Sequence, residues 1–182
     1  MATEKLKIGS QLPEFKLMGV DNKLYSNDYF TDHKILVVIF SCNHCPYVHA
    51  YEDRIKSIVS DYTEKGVKVI AINSNDADNY PDDSFENMQK RASEKNFNFI
   101  YLRDETQLTA KVFGATHTPE IFVFDDNRKL RYHGKIDDNW KEEEKVVEKY
   151  LCDAINALFA GKEISVPETF SIGCTIKWKS KQ

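Results

Sequence analysis

Two cysteines separated by two residues, Cys42-Asn43-His44-Cys45, stand one residue behind the most apolar run of the chain, Ile35-Leu36-Val37-Val38-Ile39-Phe40, and directly before Pro46. Thiols at this spacing can close a disulfide and reopen it by exchange with a partner disulfide. A chain that leaves a buried strand, turns through C-x-x-C and enters a helix sets the first sulfur beside the positive end of the helix dipole, which favours its anion. A structural zinc site is the competing chemistry. Cys42, His44, Cys45, His117 and Cys174 could supply its ligands if the C-terminal tail folds back.

Composition narrows the setting. The 182 residues suffice for one domain with a full core, taken as 1–182, and 41% hydrophobic with 30% charged residues is ordinary for a globular chain. A net charge of -4 with interspersed Lys and Glu argues against nucleic acid as a partner. The stretch Met1 to Ile8 has no apolar core of a secretory leader, and no run approaches the ~18 apolar residues of a membrane span. The expectation is therefore a cytoplasmic protein without a membrane partner. In such a reducing setting the four cysteines, Cys42, Cys45, Cys152 and Cys174, suit catalysis better than structural disulfides. Cys152, near the apolar stripe of the last helix, reads as core, and Cys174 as either a buried apolar thiol or a third redox thiol.

The elements that must position the pair follow from periodicity. Residues 1–34 read as irregular lead-in with a short hairpin about Asp21-Asn22. Ile35 to Phe40 is a continuous apolar run that suits a central strand covered on both faces. Val48, Tyr51, Ile55, Ile58, Val59 and Tyr62 predict a helix from about His44 to Lys65, with Pro46 in its first turn and Gly66 as its stop. A second buried strand, Val67 to Ile72, completes a crossover with parallel strands. A polar insert at about 73–99 carries a helix capped by Ser84. Beyond it the pattern predicts a strand at 97–102, a helix at 105–113, a hairpin of 120–124 with 129–134, and a helix at 141–160. The tail from about 162 to 182 reads as irregular.

The second signature is Thr116-His117-Thr118-Pro119-Glu120-Ile121-Phe122, a proline placed between the third helix and a strand. With the C-x-x-C it resembles the thioredoxin superfamily, and implies a thioredoxin-like α/β fold with a central mixed sheet flanked by helices. In that superfamily the proline is cis and packs on the C-x-x-C, and the residue before it, here Thr118, pairs with an incoming extended substrate. Gly9 to Phe15, Asn73-Ser74-Asn75-Asp76 and Leu102 to Thr106 resemble the AhpC/TSA-type redoxins. The segments CNHCPYVHAY (42–51) and PETFSIGCTIKW (167–178) are similar to the peroxiredoxin-like thioredoxin-family proteins.

The resemblance implies a thiol–disulfide oxidoreductase with Cys42 as the exposed attacking cysteine and Cys45 as the buried resolving one. Its site would comprise Cys42, His44, Cys45, Thr118 and Pro119, with Cys174 and His117 at its border. His44, when protonated, would steady the Cys42 thiolate and make the couple more oxidising. The expected partners are a protein or small-molecule disulfide, or a peroxide, and a thiol electron donor, with no cofactor and no resident metal. Cys45-Pro46 also matches the peroxidatic cysteine of a peroxiredoxin, which gives a thiol peroxidase as the second reading. That reading lacks the threonine expected at position 42 and the arginine expected near Pro119 to Phe124, where only Arg103 or Arg128 could substitute. A redox-inactive peptide-binding module using the Thr118-Pro119 edge is the third.

Overall fold

The computed structural model describes residues 4–180; the first three residues of the N-terminal stretch read above, and the last two of the tail, lie outside it. Nine strands and four α-helices are found among the described residues. The apolar run becomes β3 (Ile35–Ser41), buried along its whole length. It sits near the middle of a mixed seven-stranded sheet of order β2-β1-β5-β4-β3-β7-β8. Here β1 is Lys16–Gly19, β2 Leu24–Ser26, β4 Val67–Asn73, β5 Ile100–Arg103, β7 Glu120–Phe124 and β8 Leu130–Gly134. The β3, β4 and β5 strands run parallel, and β7 lies antiparallel to β3.

The alternation of β3 sorts the core into two layers. Ile35, Val37 and Ile39 face α1 (Pro46–Tyr62) and α4 (Tyr150–Phe159), meeting Tyr51, Ile55, Ile58, Leu151 and Ile155. Leu36, Val38 and Phe40 face the layer formed by α3 (Leu108–Phe113) and the N-terminal segment, where they pack with Phe113, Phe122, Phe124, Leu12 and Phe15. The insert helix α2 (Phe85–Glu94) covers the β4–β5 side with Met88, and Ser84 caps it by accepting the Asn87 amide. A paired carboxylate and guanidinium, Glu52 and Arg91, tie α2 to α1 through two hydrogen bonds of 2.7 and 2.9 Å.

Four elements differ from the sequence reading. The helix predicted at 141–160 forms only from Tyr150. Asn139 and Asp138 accept the amides of Lys141, Glu142 and Val147, so the preceding chain is held in turns rather than helical hydrogen bonds. The strand predicted at 97–102 starts at Ile100, and the helix predicted at 105–113 starts at Leu108 because Asp104 accepts the Thr109 and Ala110 amides. Most consequentially, the tail is not structureless. His133 and Glu168 form a bridge beside β8, and β9 (Cys174–Thr175) pairs antiparallel with the two-residue strand β6 (His117–Thr118).

The first of these tail contacts depends on Gly134. Its φ is +150°, and a Cβ there would stand 1.9 Å from the Thr169 hydroxyl, which itself accepts the Lys135 amide. Gly134→Ala is expected to destabilise the chain by about 1–3 kcal/mol through crowding and backbone strain. Chemical denaturation checks this, with limited proteolysis reporting release of the segment around Thr169.

Candidate active site

The sulfur pair sits where the sheet hands over to α1. Cys42 follows the last residue of β3, and Cys45, in extended conformation, is the N-cap of α1, with Pro46 in the first turn where no amide is missed. Across from them, the Thr118–Pro119 peptide is cis. The Thr118 hydroxyl lies 3.3 Å from Cys42 Sγ, and the Thr118 carbonyl oxygen 3.3 Å from Cys45 Sγ. The two motifs, far apart in sequence, therefore share one residue as their junction. Both thiols are free.

The solvent-facing Cys42 thiolate expected from the sequence is not what the fold builds. Cys42 is 2% exposed and Cys45 is fully buried, because Tyr47 and the tail's Cys174 pack over them. Ionisation also favours the other sulfur. Cys45 is held well below the ordinary thiol range, first by the hydrogen bond it accepts from the Cys42 thiol. Further donors are the Cys174 thiol, the Val48 amide at the start of α1 and the Cys174 backbone; together they outweigh the effect of burial. Cys42 is pushed up by giving that hydrogen bond, by burial and by the negative charge of Asp83. The fully protonated pair points the Cys45 proton at the Thr118 carbonyl; once that proton leaves, the charge rests on Cys45.

Asp83 is the residue that sequence reading overlooked. It belongs to a 3-10 turn, Pro81–Asp83, in the polar insert, and is completely buried. One carboxylate oxygen accepts the Asn43 amide (2.6 Å) and the Asn73 amide group (2.9 Å); the other meets His44 Nδ1 (2.5 Å) and the Asn75 amide group (2.9 Å). Asn43 is further held by the Tyr101 hydroxyl and by Asp82. The insert thus supplies the floor of the C-x-x-C turn. His44 is half-buried, stacked on Tyr80 with ring planes 5° apart, and directed at Asp83.

The zinc arrangement does not assemble. Among the described residues, the metal-ligand atoms that come within 4.8 Å of one another are those of Cys42, His44 and Asp83. The Asp83 oxygens are already taken by four partners, and His117 turns to the Thr116 hydroxyl and pairs with Thr175 at the β6–β9 edge. Among the described residues no arginine is hydrogen-bonded to the sulfurs. Arg128 donates to the carbonyls of Phe30 and His33, and Arg103 to Glu105 and the Asp83 carbonyl. On β7 the position behind Pro119 is Glu120, fully buried with His133 at 2.6 Å. Burial alone would raise the Glu120 carboxyl, but hydrogen bonds from His133 and from the Thr116 and His117 amides hold it below its ordinary value. Glu120 thereby fixes the turn that carries Thr118.

Comparison with known proteins gives this geometry a family. The redoxin family model matches residues 7–151. The chain is a redoxin. An uncharacterized conserved protein from Geobacillus kaustophilus is 39% identical, with a TM-score of 0.91 over 97% of this chain and 94% of that one. A hypothetical protein from Sinorhizobium meliloti 1021 is 33% identical, with a TM-score of 0.92 over 98% of each chain. The thioredoxin domain of a thiol-disulfide oxidoreductase from Bacteroides vulgatus is 15% identical, with a TM-score of 0.60 over 69% of this redoxin and 86% of that domain, a likeness of fold. Comparison with curated proteins finds no match. The fold is thioredoxin-like, and the family carries a thiol redox function.

Removing the Glu120 carboxylate strands the buried His133 and two amides. Glu120→Ala is expected to cost about 3–5 kcal/mol, the range for breaking one side of a buried pair, and Glu120→Gln clearly less. Equilibrium denaturation measures both. Because the Glu120 carboxyl is held below its unfolded value, its stabilisation is complete above that value and fades as the pH falls through the folded one.

Proposed function

We propose that this redoxin is a thiol–disulfide oxidoreductase whose Cys42–Cys45 pair cycles between dithiol and disulfide. The observation that carries the reading is the pair of free thiols, Cys42 and Cys45, at the start of α1, both in contact with Thr118 at the cis Thr118–Pro119 peptide. The substrates are disulfides, and a thiol donor regenerates the pair.

Roles follow from the donors around each sulfur. Cys45, as thiolate, attacks the substrate disulfide; one substrate sulfur leaves with the electron pair and a proton. Cys42 then attacks Cys45 Sγ in the mixed disulfide, releases the second substrate thiol and leaves Cys42–Cys45 oxidised. This reverses the order that the superfamily resemblance suggests, because the interaction between the two sulfurs, then burial and Asp83, disfavours charge on Cys42 and leaves it on Cys45. Thr118, sharing a contact with both sulfurs, positions them for the second step. His44 acts through Asp83, by fixing the turn that presents Cys42. A stabilised thiolate also stabilises the reduced form, so the couple is expected to be more oxidising than the roughly −270 mV of thioredoxin.

One feature favours a second reading as a thiol peroxidase: the anion rests on Cys45, the sulfur followed by Pro46. Against it, no guanidinium stands ready to stabilise a peroxide oxygen. The binding-module reading is weakened by the edge of Thr118 being taken by β9.

Reduction of a model disulfide, followed by thiol release, separates the roles. Cys45→Ser is expected to abolish turnover, whereas Cys42→Ser combined with Cys174→Ser, which leaves no neighbouring thiol, stops after the first step and accumulates the mixed disulfide on Cys45, read by intact mass. A chain carrying both Cys42→Ser and Cys174→Ser that never captures substrate would contradict the order. Hydrogen peroxide consuming the thiols far faster than it consumes free cysteine would instead support the peroxidase. In the reduced protein, alkylation of Cys45 is expected to persist below the ordinary thiol range near pH ~8.5. Cys42→Ala, which removes the strongest donor to Cys45, moves that pH profile upward.

A further inference from the structure

The tail holds its own thiol where a substrate strand would lie. Cys174 stands opposite Thr118 in the β6–β9 register, and Ile176 donates its amide to the Thr116 carbonyl at 2.9 Å. Gly173 rests on the cis peptide so closely that a Cβ there would be 2.1 Å from the Thr118 carbonyl oxygen. The other side of the tail is fastened to the insert. Asn75 accepts the Lys177 amide, Gln107 donates to the Lys177 carbonyl and accepts the Lys179 amide, and Ile176 is buried in the core. Cys174 packs against the cluster of Cys42, Cys45 and Val48. Of the three clustered sulfurs it is the most accessible, being only partly buried.

The geometry points to Cys174 as a third catalytic cysteine, a thiol that exchanges with the Cys42–Cys45 disulfide and carries its electrons to and from solvent. The inference rests on disulfide exchange at that pair. In the forward step Cys174, as thiolate, attacks Cys45 Sγ. The Cys45–Cys174 bond forms, the Cys42–Cys45 bond breaks, and Cys42 leaves with the electron pair and takes a proton. No outside oxidant is needed, because one disulfide replaces another. A donor thiolate in solution then attacks Cys174, Cys45 leaves as the thiolate already favoured there, and a second donor thiol resolves the adduct. Burial raises the Cys174 thiol, followed by its hydrogen bond to Cys45, so the docked tail rests as thiol and attacks once Cys45 is oxidised and no longer accepts its proton. By occupying the Thr118 edge, the same segment also bars an extended substrate until it lifts.

The test is disulfide mapping by mass spectrometry of the full chain after glutathione disulfide. Wild type is expected to yield Cys42–Cys45 together with Cys45–Cys174, and Cys42→Ser to yield Cys45–Cys174 alone, with two glutathione thiols released per bond. Gly173→Ala added to Cys42→Ser, which keeps all remaining thiols but drives β9 off Thr118, should slow the crosslink at least tenfold. If wild type forms Cys42–Cys45 while Cys42→Ser ends with glutathione on a cysteine and no crosslink, the relay is overturned and disulfide exchange stands. If the crosslink forms equally fast with Gly173→Ala, the docked strand is not its cause and the inference is likewise overturned. If wild type forms no Cys42–Cys45 bond, the underlying reading falls with it.

Discussion

A carboxylate without a drop of solvent around it organises this molecule. An isolated buried charge is costly, and Asp83 persists because four donors surround it. Those donors come from three places: the C-x-x-C turn, the end of β4 and the first residues of the insert. Satisfying one charge therefore pins the turn that carries the sulfurs to the sheet on one side and to the insert on the other. The same charge disfavours an anion on Cys42 and so helps decide which sulfur ionises.

The sulfur pair lies between two polar anchors of this kind. Asp83 holds the turn from the insert side, and Glu120 holds the Thr118–Pro119 turn from β7. Each anchor has its acid buried and paired, with backbone amides among its partners. Neither touches the sulfurs by a hydrogen bond, so geometry is set by groups that stay out of the exchange. The tail then closes the assembly. It adds donors to Cys45 and removes both sulfurs from water, which strengthens every electrostatic effect among them.

The strands and the first helix were legible because their signals are strong and local. β3 is an unbroken apolar run, α1 has a clean helical stripe, and Gly66 ends its segment in the left-handed conformation at φ 93°. The junction of the cysteines with Thr118 and Pro119 was legible from two motifs in the right element context. What could not be read were the long-range polar pairs. Asp83 looks like one more acid in an acidic insert, and nothing in Asp82-Asp83-Ser84 says that it faces inward. His133 carries no periodic signal, yet it is the partner of Glu120. The α4 reading overran because a run of Lys and Glu is compatible with helix on propensity, whereas Asn139 and Asp138 captured its amides. The tail was misread as irregular because two-residue strands leave almost no pattern; their pairing is a tertiary fact.

Of the two tryptophans, Trp140 lies against Tyr47, ring centroids 4.3 Å apart, and Tyr47 packs on the sulfur cluster. Trp178 lies within the stitched part of the tail, between Lys177 and Lys179, and is 40% exposed. The molecule thus carries one indole against the tyrosine that packs on its sulfurs and one in the stitched tail beyond β9. Disulfides quench nearby indole emission, so oxidation of the cluster and departure of the tail would write separate optical signals without any added dye.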